Sequence, residues 1–282
     1  MMSFVYILPA LGWGLMPVIS KKIGGKPQEQ LLGTTLAALL VAICINIFGS
    51  IHYNLKGVVV SFISGLFWAT GQFLQFKALE KEEVSRVMPF SNGTQLIFTT
   101  LASGIVLQEW IGIKQASISV LMLLIVILSI QLLTHKENME TKNLEGTTML
   151  MVIKSSLCLM GYATITSFFH ISGMAIFLPQ AMGMCLGALV ILSLKKESLS
   201  KERVAYNLLT GCSWSIANLS LFYTASELGM GLSYTISQLC IFVSVIGGMF
   251  FLKEKKSTME IRRIGFGVVL FFSAILVLSY FK

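Results

Sequence analysis

Ten stretches of 18 to 23 mostly apolar residues, each bounded by charged or turn-forming residues, follow one another along this sequence. A helix needs about 20 apolar residues to cross the hydrocarbon of a bilayer, so stretches of this length predict membrane-spanning helices. Only 12% of the residues are charged, about half the usual share in soluble domains. The sequence therefore predicts an all-α polytopic membrane protein with ten transmembrane helices, at residues 3–20, 31–51, 58–79, 87–107, 115–134, 149–168, 172–194, 204–224, 233–252 and 264–281.

The basic residues fall mainly on one side of the predicted membrane. Loops after the odd-numbered helices, with their helix ends, hold 18 of the 21 Lys and Arg residues, whereas Lys56, Lys114 and Lys282 fall on the other side. Cytoplasmic loops are enriched in Lys and Arg, so both termini are predicted to lie outside the cytoplasm. The net charge of +8 thus reports topology and gives no indication of nucleic-acid binding.

Phrases in the first half of the chain recur in the same order in the second half. QLLGTTLAAL (30–39) matches QAMGMCLGAL (180–189), GLFWATGQ (65–72) matches GCSWSIAN (211–218), and TQL (94–96) matches SQL (237–239). With five helices each, the second half would enter the membrane upside down relative to the first. This pattern predicts two inverted five-helix repeats, as in many secondary transporters. The expected units are 1–134, a linker at 135–148, and 149–282.

Small residues mark the first of these matched pairs. Gly33 on the second predicted helix, and Gly183 and Gly187 on the seventh, allow two helix backbones to approach closely. We therefore interpret this pair as packing faces. Gln30 and Gln180 open the same helices and could either cap a cavity or gate it.

Particular motifs resemble those of a known transporter family. They are GWGLMP (12–17), GGKPQEQLLGTT (24–35), FKALE (76–80), VMPFSNGTQL (87–96) and FLPQAMGM (177–184). Over nearly the whole chain they resemble bacterial sugar-uptake permeases of the glucose/ribose porter group, in the drug/metabolite transporter superfamily. GGKP and FLPQAMGM are most similar to the ribose uptake proteins. The resemblance implies ten helices in two inverted halves in the bacterial cell membrane, and uptake of a ribose- or glucose-class monosaccharide with proton coupling.

Amides and aromatic rings at membrane depth are the candidates for binding a hydroxyl-rich substrate, because amides both donate and accept and rings cover the apolar face of a sugar. Trp68 and Gln72 are four residues apart, as are Trp214 and Asn218, so ring and amide share a helix face. The alternative is that the amides only join helices. The predicted substrate-binding residues are Trp13, Trp68, Gln72, Asn92, Gln95, Tyr162, Trp214, Asn218 and Gln238; Gln75, Tyr223 and Tyr234 lie at similar depth.

A bend is predicted in the fourth helix, where Pro89 and Gly93 bracket Asn92. A broken helix would free backbone groups for a ligand, whereas an ordinary proline kink would not. Both interpretations are compatible with the sequence.

Proton coupling requires a titratable group. Glu109 and Glu254 are the predicted candidates, because they occupy matching positions at the ends of the fourth and ninth helices. Three lysines adjoin Glu254, so a loop salt bridge is the alternative, and a facilitator without coupling remains open.

Other function classes lack their expected signatures. An exporter of amino acids, nucleosides or drugs is the main alternative within the same superfamily, although a cationic-drug pump would want a carboxylate near the first helix and none occurs before Lys26. No HExxH, GxxxxGK[ST] or GxSxG motif occurs, so an enzyme is not expected. The expected partners are a monosaccharide, protons and the lipid bilayer, with no cofactor, no metal and no nucleic acid; the sequence gives no oligomeric state.

Overall fold

The computed structural model describes residues 2–49, 51–137, 144–171, 173–195 and 197–280. All regular structure in these residues is helical, so the predicted all-α class is confirmed. A 3₁₀ turn, Met174–Ile176, precedes α8. The helices are α1 Met2–Val5, α2 Leu8–Ile23, α3 Pro27–Phe48, α4 Leu55–Lys81, α5 Val84–Ile105, α6 Gly112–Thr134, α7 Gly146–Phe168, α8 Phe177–Lys195, α9 Lys201–Tyr206, α10 Leu208–Leu228, α11 Met230–Ser237, α12 Cys240–Phe251 and α13 Thr258–Tyr280.

The predicted count of ten transmembrane helices is wrong. In the described residues, seven helical segments are long and apolar enough to cross a membrane: Pro27–Phe48, Leu55–Lys81, Gly112–Thr134, Gly146–Phe168, Met174–Lys195, Leu232–Phe251 and Thr258–Tyr280. Helix α2 has only 16 residues, about 24 Å of helix against the roughly 30 Å of hydrocarbon. Helices α5 and α10 are long enough but carry many polar side chains. The predicted organisation as two inverted five-helix repeats required ten membrane spans, so it is wrong as well.

The predicted unit boundaries at 1–134, 135–148 and 149–282 stay a prediction. Helix α6 ends at Thr134, as expected, and α7 begins at Gly146, inside the predicted linker. Residues 138–143 of that linker lie outside the described residues. Helices from before and after the linker interleave, because α4 packs against α7 and α8, α10 against α2 and α3, and α6 against α13.

Local sequence explains where α3 begins. Gly24 and Gly25 have φ values of 75° and 95°, a region that favours glycine, and so turn the chain after α2. Pro27 then occupies the first turn, where its missing N–H costs nothing. The Glu29 carboxylate accepts a 2.8 Å hydrogen bond from the Lys26 N–H and a 2.7 Å bond from the Ser200 N–H. One carboxylate thus caps α3 and fastens it to the start of α9.

Glycines allow the helices to approach at backbone contact. A Cβ atom on Gly183 of α8 would lie 2.0 Å from the Phe62 carbonyl oxygen of α4, and one on Gly65 would lie 2.1 Å from the Gln180 carbonyl oxygen. Helices α3 and α9 meet similarly, since a Cβ atom on Gly33 would lie 2.4 Å from the Val204 carbonyl oxygen. The predicted close packing at these small residues is confirmed.

The two glutamines that begin the matched phrases fasten neighbouring helices. The Gln180 side-chain amide donates to the Ser64 hydroxyl (2.9 Å), and the Gln30 amide donates to the Ser20 carbonyl (3.3 Å). Both side chains are buried. Their contacts are those of structural residues.

Basic loops gather at one end of the molecule. The Glu83 carboxylate, between α4 and α5, is 2.8 Å from the Lys136 ammonium and 2.7 Å from that of Lys256. Burial alone would raise the pKa of Glu83, but hydrogen bonds and charge from these two lysines lower it below its ordinary value. Lys21, in the last turn of α2, donates to the Leu79 carbonyl. Loops predicted to share one side of the membrane therefore do share one end of the fold.

Candidate functional site

Three buried aromatic rings form the centre of the larger hydrophobic cluster. Trp68 of α4 and Trp214 of α10 meet edge to face with ring centroids 5.2 Å apart, and Phe177 of α8 stacks on Trp214 at 5.8 Å. Both tryptophans are only 2% exposed. Trp68 and Trp214, both predicted to bind substrate, are thus in contact, whereas Phe177, the first residue of α8, was missed because nothing in its apolar surroundings distinguishes it.

A tyrosine–amide pair adjoins these rings. The Tyr162 hydroxyl of α7 donates a 3.2 Å hydrogen bond to Oδ1 of Asn218, whose Nδ2 donates to the Trp214 carbonyl at 2.9 Å. Asn218 is 5% exposed, while Tyr162 is half-buried. The structure thus brings Tyr162, Trp214 and Asn218 together, with a phenol and an amide beside an aromatic wall.

Gln72 has different partners. Its Nε2 donates to Oε1 of Gln75 at 2.8 Å, and Nε2 of Gln75 donates to the Ser91 hydroxyl at 2.8 Å. This chain joins α4 to α5 within the core. Gln72 and Asn218 make no hydrogen bond to each other, so the contacts of Gln72 match the helix-joining alternative.

A second polar group lies between α5, α11 and α12. The Asn92 amide donates to the Cys240 sulfur at 3.5 Å. The Tyr234 hydroxyl faces the side chains of Thr99 and Gln238. Gln95 is half-buried on the same helix as Asn92. The predicted residues therefore divide into two groups, with Asn92 and Gln238 in the second.

A helix interruption occurs at Gln238, and none occurs between Pro89 and Gly93. Helix α5 runs unbroken through Pro89 from Val84 to Ile105, so the broken-helix interpretation is wrong there. The ninth predicted segment instead divides into α11 and α12 at Gln238 and Leu239. The Gln238 N–H donates to the carbonyls of both Tyr234 and Thr235 at 3.2 Å. Neither Pro nor Gly lies at the interruption. The only signal for it in the sequence was a glutamine within an apolar stretch.

Trp13 lies between the two groups. Gly12 approaches α10, where the Ser213 hydroxyl donates to its carbonyl at 2.7 Å, and Gly14 approaches the Cys240 carbonyl at the start of α12. These contacts hold α2 between α10 and α12. Trp13 packs against both hydrophobic clusters of the protein, as does Phe90 of α5. A ring that borders both groups makes them parts of one interior region.

Comparison with known proteins identifies the family of this chain. The sequence matches the profile of the family described as "sugar transport protein" over residues 4–281. The chain belongs to the sugar transport protein family. It is accordingly a multi-pass membrane protein of a sugar transport family. The predictions of a membrane protein and of a role in sugar transport are confirmed.

Members of this family are similar along almost their entire length. A Listeria innocua protein named for sugar uptake is 39% identical over 280 residues, covering 99% of this chain and 98% of the relative. The glucose uptake protein GlcU of Bacillus subtilis is 35% identical over 280 residues, covering 98% and 97%. A protein of known crystal structure shares the fold, with a TM-score of 0.65 and 13% identity over 99% of this chain and 98% of that one.

The chemistry of the interior suits a sugar transport protein. A sugar presents hydroxyls that both donate and accept, and Tyr162 and Asn218 offer both functions. The nearby rings offer flat apolar faces. Among the described residues, no group of three His, Cys, Asp or Glu side chains is arranged to hold a metal ion.

The two carboxylates predicted for proton coupling lie away from this interior. Oε1 of Glu254 accepts from the Val84 N–H at 2.7 Å and Oε2 from the Ser85 N–H at 3.1 Å, so Glu254 caps α5. Glu109 follows α5 and is exposed, and its N–H donates to the Ser103 carbonyl at 3.1 Å. Glu254 therefore joins the end of α12, the helix that follows the interruption at Gln238, to the start of α5.

Proposed function

We propose that this protein takes up a monosaccharide of the glucose or ribose class through the bacterial cell membrane by alternating access. The observation that carries the proposal is the Tyr162–Asn218 hydrogen bond beside the Trp68, Trp214 and Phe177 rings. Glucose is the first candidate, because relatives in Bacillus subtilis and Staphylococcus xylosus are named glucose uptake proteins. Ribose is the second candidate, because GGKP and FLPQAMGM resemble the ribose uptake proteins. We also propose that the protein belongs to the drug/metabolite transporter superfamily.

The sugar would bind between the two polar groups. Tyr162 and Asn218 would receive hydroxyls on one side, with Asn92, Gln95 and Gln238 on the other, and Trp13 would border both. Interrupted helices at the midplane commonly line substrate sites in transporters, because their freed backbone groups bind polar ligands. The interruption at Gln238 supports this placement. Both termini are proposed to face outward, since the basic loops share one end.

Labelled sugars test the substrate class. Purified protein in vesicles should take up glucose or ribose in preference to rhamnose, and the preferred sugar should compete with its own labelled form. Empty vesicles are the control. If none of the three sugars enters faster than into empty vesicles, the proposed substrate class is wrong.

We also propose that uptake is coupled to protons through Glu254. Protonation would remove the negative charge that accepts two N–H groups at the start of α5, where the helix dipole favours an anion. Breaking this cap would loosen α12 from α5 and so link a proton to movement beside the interrupted helix. Glu109 is the second candidate, at the opposite end of α5.

Glu254→Gln separates coupling from binding. A glutamine keeps an acceptor oxygen but cannot release a proton, so the variant should exchange internal for external sugar yet lose accumulation driven by a pH gradient. Glu197→Gln is the matched control, because Glu197 pairs with Lys26 in an exposed loop. Gradient-driven accumulation in Glu254→Gln equal to that of the control would reduce Glu254 to a helix cap. Wild-type uptake that ignores the gradient would identify an uncoupled facilitator.

A further inference from the structure

A groove of about 510 Å³ opens between α6 and α13 at their lipid-facing surface. Its apolar walls are Leu128 and Leu132 of α6 and Phe266 and Leu270 of α13. Each pair is spaced four residues apart, so the side chains form a row along one face of each helix. Leu128 is 54% exposed and Phe266 is 60% exposed.

The surroundings of this groove settle what can cover it. Helix α6 packs against α5 and α13, and α13 packs against α6 and α11. Both α6 and α13 are among the segments apolar enough to span a membrane. Their outer faces therefore meet lipid.

One end of the groove is polar. His135 follows the last residue of α6, and Arg263 lies five residues into α13. Five residues correspond to about 7.5 Å of helix, so a long arginine side chain reaches from this depth to the level of lipid headgroups. The same end of the molecule carries the basic loops.

Arg263 has a free charge within the part of the chain that the structure describes. No carboxylate there forms an ion pair with it. The nearest acidic residue on its own helix, Glu260, instead accepts N–H groups from Glu137 and Ser257, both at 2.9 Å. Glu137 in turn accepts from the Ser257 hydroxyl. The guanidinium has no carboxylate partner, so its charge is complementary to that of a phosphate. The apolar groove beside it is complementary to an acyl chain.

We propose that the groove is a binding site for one anionic phospholipid of the surrounding bilayer. The phosphate lies against Arg263 and His135, because a guanidinium can donate two parallel N–H groups to phosphate oxygens. An acyl chain lies along the rows of Leu128 and Phe266. Basic pockets between membrane helices on the cytoplasmic side bind anionic headgroups in this way. The site is separate from the sugar-binding interior and independent of the transported substrate.

Native mass spectrometry of the full-length protein with phosphatidylglycerol and phosphatidylcholine tests this site. Wild-type protein should retain one phosphatidylglycerol in preference to phosphatidylcholine. Arg263→Gln should lower that retention about fivefold, the effect of one basic residue near a membrane surface. Arg262→Gln is the matched control, because it removes the same charge from the neighbouring residue, which is exposed and does not line the groove.

A second variant tests the groove without removing a charge, so that misfolding of one variant does not decide the result. Leu128→Trp fills the groove at an exposed position without changing charge, and it should also lower phosphatidylglycerol retention while sugar uptake persists. Equal retention in wild type, Arg263→Gln and Arg262→Gln would overturn the proposal, as would equal binding of phosphatidylcholine. Competition by inorganic phosphate would show a phosphate site without lipid selectivity. A dimer that dissociates in Leu128→Trp would assign the groove to a second copy of this chain.

Discussion

Asn218→Ala is expected to lower sugar uptake at least fivefold while the protein remains folded and inserted. The variant removes the acceptor for the Tyr162 hydroxyl and the amide that would bind a sugar hydroxyl. Leaving a buried polar group without its partner costs about 1–3 kcal/mol, which corresponds to a factor of roughly 5 to 150 in binding. Uptake should be measured below saturation, where a loss of affinity is fully expressed.

The chain offers a matched control for this variant. Asn46 of α3 likewise forms a hydrogen bond with a tyrosine, its amide donating to the Tyr53 hydroxyl, but this pair lies at the exposed end of the helix. Asn46→Ala should leave uptake unchanged. Tyr162→Phe should give an intermediate loss, since the ring stays and only the hydroxyl is removed. Equal uptake in Asn218→Ala and Asn46→Ala would show that Asn218 only joins helices.

The two tryptophans of the candidate site were predictable from sequence, but Phe177 was not, and the polar partners were only partly so. Spacing of four residues placed Trp214 and Asn218 on one face, and Asn218 indeed donates to the Trp214 carbonyl. The same spacing links Trp68 to Gln72, yet Gln72 bonds to Gln75 instead of to the aromatic group. A helix periodicity fixes which side chains share a face, whereas their partners depend on helices that are distant in sequence.

The helix count failed for a related physical reason. Apolar stretches suggested ten spans, but α5 and α10 carry polar side chains that contact other helices. Asn92 of α5 donates to the Cys240 sulfur, and Asn218 of α10 accepts from the Tyr162 hydroxyl. Helices that line a polar interior need not be uniformly apolar, because neighbouring helices shield them from lipid. The three predicted spans that lack a clear membrane signal, α2, α5 and α10, therefore all carry candidate site residues.

The interruption at Gln238 could not be anticipated from local rules. Helix breaks are usually assigned to Pro or Gly, and the chain has Pro89 within the unbroken α5. At Gln238 the backbone keeps turn-like bonds to Tyr234 and Thr235, so the interruption costs few hydrogen bonds. It is stabilised by packing, since Cys240 of α12 accepts from Asn92 and lies against Gly14. Tertiary contacts of this kind leave no periodic trace in the sequence.

Gly183→Ala is expected to destabilise the protein by about 3 kcal/mol or more, because overpacking against a rigid backbone forces whole helices apart. The added methyl group would lie 2.0 Å from the Phe62 carbonyl oxygen, which is backbone and cannot rotate away. Helices α4 and α8 would have to separate by more than 1 Å to reach ordinary contact distance. Because Trp68 is on α4 and Phe177 is on α8, the separation should also lower uptake. Thermal unfolding of the purified protein measures the loss.

Graded glycine variants distinguish this clash from a general effect of alanine. Gly265→Ala adds the same methyl group to α13 where nothing lies within 4 Å, so its unfolding midpoint should match or exceed that of wild type. Gly187→Ala should be intermediate, since its new Cβ atom would lie 2.7 Å from the Ala69 Cβ atom. Adding Ala69→Gly removes that opposing atom and should restore much of the stability. Equal midpoints for Gly183→Ala and Gly265→Ala would contradict the backbone contact between α4 and α8 on which the aromatic group depends.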